Sequence, residues 1–441
     1  MGVRPLKILF LAPHPFFQDR GTPIADRAVL EALVERGHEV DLLVFPEGRE
    51  IDLPGCTIHR VPRIRGIGPI RPGFSAGKLL YDVRMLRAAA RLARERGYDL
   101  VHAVEESALI ACWLQRRFGI PFVYDMDSSI PQQMTEKLAW LRPARPLLEA
   151  AMRPALRDSL AVIAVCRTLE EEVRRLAPLA DVHRIEDFSL LDEAGETGAG
   201  GQEDGRAGGQ EGAGPPDLDR AAGPIVLYAG NLEPYQGIDL LLRAFAVVAR
   251  AETRAQLVLI GGRADDIARY RKRAARLGIE SRAHFLGPSP IGSLRASLAQ
   301  ADVLVSPRIR GRNTPMKIYS YLDSGCALVA TRLPVHTQVL DDEIALLAEP
   351  QPEVYAEAIL ALLRDPARRN ALGRAAAERA RRLYSRAAFR AKIDKLYGAI
   401  EERLSASSPA SPSPSSPSSP SPLSPSPFPA PPGEQPGERR A

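Results

Sequence analysis

The sequence predicts an α/β protein of two doubly wound, Rossmann-like domains that face each other across a cleft and end in a disordered C-terminal tail. Three observations predict it. Short apolar runs of strand length alternate with longer amphipathic segments along most of the chain, the pattern of parallel sheets covered by helices. The alternation is interrupted by a stretch from Asp192 to Gly223 that has almost no large apolar residue. A chain of 441 residues with 45% hydrophobic content can bury more than one core.

Each element follows from its local pattern. In the first half, Lys7 to Ala12, Glu39 to Phe45, Thr57 to Arg60, Asp99 to Ala103, Phe122 to Asp125 and Leu160 to Val165 read as strands. Asp26 to Arg36, Lys78 to Arg96, Ser107 to Arg117 and Pro146 to Asp158 read as helices. In the second half the strands are Ile225 to Tyr228, Gln256 to Ile260, His284 to Leu286, Val303 to Val305 and Leu328 to Val329. Between them lie helices at Ile238 to Arg250, Ile267 to Leu277, Ile291 to Ala299 and Pro315 to Ser324. The domains divide as 1–191 and 224–383, joined by an insertion over 192–223. A helix over 384–404 is expected to pack back on the first domain, before a tail over 405–441.

Composition removes two segments from the fold. The insertion is rich in Gly, Ala and Glu, and the tail is mostly Ser and Pro, so neither buries enough surface to order itself. The insertion carries eight acids and two arginines, net −6, and the tail is neutral, so a chain of net +5 leaves +11 on the folded part. That charge suits phosphorylated ligands or an anionic surface. Nucleic acid is the poorer fit, because the basic residues are dispersed and no stacking-aromatic pattern accompanies them.

Cys56, Cys112, Cys166 and Cys326 have no metal-ligand or redox spacing and read as reduced thiols of a cytoplasmic protein. The opening MGVRPLKILFLAPHPF reads as a first buried strand, its apolar run being too short for a signal peptide. No segment approaches the roughly 20 apolar residues of a membrane span, so membrane contact, if any, is peripheral.

The stretch from Ala301 to His336 carries the most chemistry. An apolar run ends at Ser306-Pro307, a loop with Arg308, Arg310 and Arg312 follows, and Asn313-Thr314-Pro315 opens a helix with Lys317 in its first turn. A helix N-terminus at the carboxyl ends of parallel strands binds anions through free N–H groups and the helix dipole, so a phosphate-bearing ligand is expected there.

Tyr228-Ala229-Gly230-Asn231, then Tyr235 to Asp239, LVLIGG (Leu257 to Gly262), FLGPSP (Phe285 to Pro290), ADVLVSP and YLDSGCALVAT follow one another in order. Together they resemble the donor-binding domain of family 4 retaining glycosyltransferases, which have the GT-B fold. RGTPIADRAVLEALVERGHEVDLLVF resembles the acceptor-side opening of that family, and the resemblance spans residues 5–404 apart from the insertion. It implies a nucleotide-sugar donor as co-substrate, no cofactor, no metal and transfer with retention to a hydroxyl acceptor. A bacterial role in cell-envelope or polysaccharide assembly is the implied setting.

The chain departs from that family at five positions. Most members place an Arg and, five residues on, a Lys against the nucleotide diphosphate; this chain has Asn231 and Gln236. Where they carry two glutamates eight positions apart, it has Arg312 and Ser320, and Asp127 stands where many have a histidine. On one reading the positive charge has moved to Arg308, Arg310, Arg312 and Lys317, enough to neutralise a pyrophosphate. On the other, this is a solvated arginine loop and the domain has lost its donor.

The donor set expected here is Gly230, Asn231, Gln236, Arg308, Arg312, Asn313, Thr314, Lys317 and Ser320. On the acceptor side, Asp127 could handle the acceptor's proton or cap the helix opening at Ser129. His102 could face the cleft with Glu105 and Glu106 or serve the fold, and Asp125 points to the opposite face from Asp127. Gly21 and Thr22 form a turn that would let a backbone approach the acceptor. His336 could reach the donor phosphates or lie on loop surface. The loop from Arg60 to Lys78 has Arg60, Arg63, Arg65 and Arg71 with no acid, interleaved with Ile64, Ile67, Ile70 and Phe74. It reads as a contact with the inner face of the plasma membrane or as an ordinary basic loop. The functional expectation is a metal-independent glycosyltransferase, against a catalytically silent GT-B protein that binds a sugar or partner, or a nucleotide-sugar epimerase.

Overall fold

The computed structural model describes residues 4–18, 21–68, 70, 76–191, 218 and 220–407. The insertion read at 192–223 lies outside these residues except for 218 and 220–223, as do Arg71, Phe74 and the tail from 408 onward. Among the described residues, thirteen strands build two all-parallel sheets. The first has β1 (Lys7–Ala12), β2 (Glu39–Val44), β3 (Cys56–Arg60), β4 (Leu100–Val104), β5 (Phe122–Met126), β6 (Ala161–Ala164) and β7 (Val182–Arg184), in the order β3-β2-β1-β4-β5-β6-β7. The second has β8 (Ile225–Ala229), β9 (Gln256–Ile260), β10 (Ala283–Gly287), β11 (Val303–Ser306), β12 (Leu328–Thr331) and β13 (Leu346–Ala348), in the order β10-β9-β8-β11-β12-β13.

Their central strands are apolar without alternation because helices cover both faces: β4, β5, β6, β8, β11 and β12 are buried along their whole length. Chain order reverses between β1 and β4 in one sheet and between β8 and β11 in the other. Crevices open beyond the carboxyl ends of strands at such reversals.

Several boundaries differ from those read in the sequence. The first helix spans Gly21–Glu35, five residues earlier than expected, because Pro23 falls in its first turn where no N–H is needed. Ile291 to Ala299 resolves into a 3-10 turn, Ile291–Ser293, and a short helix, Leu294–Leu298. The helix expected to open at Ser129 runs over Ile130–Lys137, while helix Arg167–Leu176 and the three-residue strands β7 and β13 escaped the sequence reading. Helix Arg167–Leu176 exposes only charged residues, Arg167, Glu171, Arg174 and Arg175, and the strands are too short to show a period.

Two stretches of chain cross side by side between the sheets. Ser189 N donates to Tyr384 O at 2.8 Å, and the Phe188 and Phe389 rings lie 4.8 Å apart. Helix Arg386–Ser407 then lies against the first sheet's helices. Arg386 pairs with Glu31, Arg36 donates to Glu401 at 2.7 Å and the Tyr397 hydroxyl reaches His102 Nδ1 at 2.6 Å.

Candidate functional site

The loops that leave β8 and β11 meet at the second sheet's reversal, where Ile309 N donates to Tyr235 O at 3.0 Å. Gly230 has φ +143° and Gly261 has φ +106°, and a Cβ on Gly261 would lie 2.3 Å from the Gly230 carbonyl oxygen. Only glycine lets the two turns pass so closely. The turn at Gly261 is therefore a built close approach to Gly230. Beyond it opens a cavity of about 530 Å³, walled by Gly230, Asn231, Gly262, Arg263, Pro290 and Ser293 among others. That volume accommodates a nucleoside-sized ligand. The wall from 288 to 297 was missed in the sequence, where FLGPSP was its only signal.

Lys317 stands at the edge of this corner. Its helix, Lys317–Asp323, has only seven residues and no side-chain cap, so the side chain and not the helix dipole carries the positive charge. Nζ is buried without a hydrogen-bond partner and lies 3.7 Å from the Tyr228 ring centroid. A Cβ at Gly230 would come within 3.1 Å of it. Burial, then the neighbouring Arg308, holds the ammonium well below the usual lysine range. The Arg308 guanidinium lies over Tyr235, 5.1 Å from the ring centroid, and burial lowers its pKa as well. Gln236 Oε1 and Thr314 Oγ1 are also buried with no hydrogen-bond partner. Asn231 is exposed at the cavity rim, its amide nitrogen 3.5 Å from the Tyr235 hydroxyl.

Four residues expected beside the donor are engaged elsewhere. Arg312 Nη1 turns to Glu172 of the first domain at 3.5 Å, because that buried carboxylate offers a charged partner. The Arg312 carbonyl accepts from Gln338 Nε2 at 2.6 Å, and Gln338 Oε1 accepts from Thr168 Oγ1 at 3.3 Å. Asn313 Nδ2 donates to the Asp127 carbonyl. Arg312 and Asn313 thus join the two domains instead of reaching the diphosphate corner. Ser320 is fully buried and its hydroxyl accepts from Leu190 N at 3.0 Å, which spends it on the interdomain crossing. His336 is neither at the phosphate corner nor on loop surface: Nε2 lies 2.9 Å from Ser306 Oγ, Nδ1 lies 2.9 Å from Thr331 O, and burial lowers its pKa to about 3.

In the first domain, carboxyls from four elements face one region beyond β1, β4 and β5: Asp26, Glu105, Asp125, Asp127 and Asp187. Burial, followed by repulsion from Asp125, Glu105, Asp26 and Asp187, holds Asp127 well above the usual carboxylate range. Burial likewise pushes Glu105 and Asp187 to about 7. His14 Nε2 lies 2.7 Å from Asp26 Oδ2, and Ser128 Oγ donates to both Glu105 oxygens at 2.8 and 2.6 Å. Asp127 is not the helix cap; Ser129 is, accepting from Gln132 N at 3.4 Å.

His102 does not face the cleft. It is fully buried, stacked 4.2 Å from Phe10, between the Tyr397 hydroxyl and Asp125 Oδ2 at 3.2 Å. It buttresses β4, its two ring nitrogens taken up by Tyr397 and Asp125. Asp125 bonds that histidine and its charge also acts on Asp127, so the two do not point to opposite faces as expected: residues two apart in an extended strand share a face. At Gly21 a Cβ would meet nothing within 4 Å, so the space there does not itself demand glycine, and Thr22 is half-buried. Arg60 of the basic loop is tied to the Phe16 carbonyl at 2.7 Å and to Glu50 at 2.9 Å. No helix among the described residues is long and apolar enough to cross a membrane.

The family described as "Glycosyl transferase 4-like domain" matches residues 25–186, and "Glycosyl transferases group 1" matches 223–365. One match falls on each sheet. The chain is a glycosyltransferase of the family 4 type, with the GT-B fold. It is a divergent one: it is 25% identical to the phosphatidyl-myo-inositol mannosyltransferase of Mycobacterium leprae over 90% of this chain and 97% of that protein. With the D-inositol 3-phosphate glycosyltransferase of Corynebacterium glutamicum it shares 30% identity, over 39% of this chain and only 43% of that relative. Sucrose-phosphate synthase of Thermosynechococcus elongatus superposes with a TM-score of 0.70 at 22% identity, over 91% of this chain and all of that one. Anabaena HepE in complex with UDP-glucose superposes with a TM-score of 0.65 at 15% identity, over 89% of this chain and all of that one. In this glycosyltransferase Lys317 is buried against the glycine corner with Arg308 beside it, and the two positions where the family resemblance leads one to expect glutamates face the first domain and the crossing.

Proposed function

We propose that this chain moves a sugar from a nucleotide-activated donor to an acceptor hydroxyl with retention, in cell-envelope or glycoconjugate assembly. The observation that carries the proposal is the buried, hydrogen-bond-free Lys317 Nζ beside Gly230 at the edge of the nucleoside-sized cavity. With Arg308 it would neutralise the diphosphate, whose departure breaks the bond to the sugar's anomeric carbon. The acceptor oxygen bonds to that carbon on the same face. Burial and the neighbouring acids raise the Asp127 pKa, which suits it to hydrogen bonding to the acceptor, and the departing phosphate oxygen takes the acceptor proton. The basic side chains and the glycine corner supply the charge neutralisation in this reading, without a metal ion. The relatives named for inositol phosphate and phosphatidylinositol make a polyhydroxylated acceptor the first choice to try.

The second reading, a catalytically silent binding protein, is favoured by one observation: Arg312 and Ser320 stand where the family resemblance implies glutamates, and both side chains are engaged away from the corner. Calorimetry and a turnover assay with UDP-, GDP-, ADP- and TDP-sugars separate the readings. Binding with turnover or hydrolysis supports transfer; binding with neither supports the silent protein; no binding of any nucleotide overturns both.

A further inference from the structure

Helices Ala76–Arg96, Ser107–Phe118 and Ile130–Lys137 enclose a second cavity, about 430 Å³, whose walls are mostly aliphatic: Leu79, Val83, Leu86, Leu109, Ile110 and Ile130. Three of these large side chains are strongly exposed, Leu79 at 55%, Leu109 at 46% and Val83 at 43%, and Leu80 beside them is 52% exposed. Single exposed leucines need no explanation, but a contiguous row lining a groove marks a binding surface. Its polar residues are Lys78, Asp82, Glu106 and Gln133. Lys78 is ion-paired to Glu106 at 2.5 Å. Gln133 donates to Ser128 Oγ, which in turn holds Glu105. The groove is therefore continuous, through Gln133 and Ser128, with the residue next to Asp127.

We propose that this groove seats the aliphatic chain of an amphiphilic acceptor, whose reactive hydroxyl lies at Asp127 while its hydrocarbon tail runs between Leu79, Val83 and Leu109. The assignment rests on the reading of the first domain as the acceptor side. An acceptor that reacts at one hydroxyl must place the rest of its body outside the reaction centre, and beyond the polar link through Gln133 and Ser128 the adjoining wall is mostly aliphatic. Charge points the same way. Arg84 and Arg87 follow Leu80 and Val83 at the spacing of four that places them on the same helix faces, so the apolar row ends in cations suited to an anionic lipid–water boundary.

The test is calorimetric titration of the full-length chain with n-alkyl β-D-glucosides from hexyl to decyl, each below its critical micelle concentration. Affinity should rise with chain length, by up to about fourfold per methylene. Leu109→Asp should abolish that dependence, with an unchanged melting temperature and nucleotide affinity as the check on folding. Leu109 is exposed enough to accept the change, and Val83→Asp serves as the second variant. Equal affinity for all chain lengths, or a dependence that both variants retain, overturns the proposal. So does association seen only on phosphatidylglycerol vesicles and indifferent to the variants, which would mark membrane adsorption. Dimerisation abolished by the variants would assign the groove to a second copy. If no nucleotide binds while the alkyl series still shows its variant-sensitive dependence, the groove stands and the transferase reading falls.

Discussion

Replacing Lys317 by Met separates stability from function in a way that few substitutions in this protein can. Met has similar length and no charge, so it fills the same space beneath Gly230. In the unliganded chain Nζ is buried, bonds nothing and is compensated only by the Tyr228 ring. An unsatisfied buried polar group costs about 1–3 kcal/mol. Removing it should therefore stabilise the protein, by a few degrees at about 2–4 °C per kcal/mol. The sign of the pH dependence agrees. A lysine whose folded pKa is lowered binds fewer protons folded than unfolded, so its unfavourable contribution shrinks as pH rises toward the unfolded value. UDP or GDP should restore the charged form, so binding takes up a proton. The apparent enthalpy will then vary with the ionisation enthalpy of the buffer. The Met variant should melt higher, bind nucleotide diphosphate about 10- to 100-fold more weakly, the loss of a charge-assisted hydrogen bond, and show no proton uptake at this site. Unchanged affinity in the variant, or a lower melting temperature with the same proton uptake, would refute the assignment of Lys317 as the diphosphate ligand.

Four further outcomes are expected. Asp127→Ala should lower turnover by about 10-fold with nucleotide affinity unchanged, while Asp127→Asn, which keeps a neutral hydrogen-bonding side chain, should retain most of it; an Asn variant as slow as the Ala variant would make Asp127, not the phosphate, the group that takes the proton. Arg312→Ala should change nucleotide affinity by less than about twofold in calorimetry, because its guanidinium pairs with Glu172 across the domains, and a larger loss would return Arg312 to the donor set. As pH drops from about 6.5 toward 3, His336, which stays neutral when folded but protonates when unfolded, should cost the wild type up to about 1.4 kcal/mol per unit relative to His336→Gln, opposing Glu105 and Asp187, whose raised pKa values add stability in the same window. Denaturant titrations of the two proteins across that window measure the difference. Glu401→Gln should destabilise by about 2–4 kcal/mol in urea unfolding, since the buried carboxylate holds both Arg36 at 2.7 Å and His38 at 2.9 Å.

The chain's own pattern was sufficient for most of the fold. β1 and β9 were legible to the residue, because continuous apolar runs bounded by turn residues admit one reading. The two sheets, the glycine corner at Gly230 and the charged loop before Lys317 were legible for the same reason, since local periodicity and turn chemistry are written in neighbouring residues. Helix Arg167–Leu176 was missed, and with it Glu172, the residue that captures Arg312.

What the sequence by itself determined were the properties that neighbouring residues create: strand and helix identity, the switch-point corner and the basic charge of the folded part. Only the tertiary structure decided which side chains meet. His102 and Tyr397 are 295 residues apart, Ser320 and Leu190 are 130 apart, and Asn313 reaches Asp127 over 186. Each of those contacts removed or redirected a residue that its local sequence made a plausible ligand. The physical reason is that a polar side chain takes the best buried partner the fold brings within about 3 Å, and that partner is set by sheet order and interdomain crossing, which no window of neighbouring residues contains.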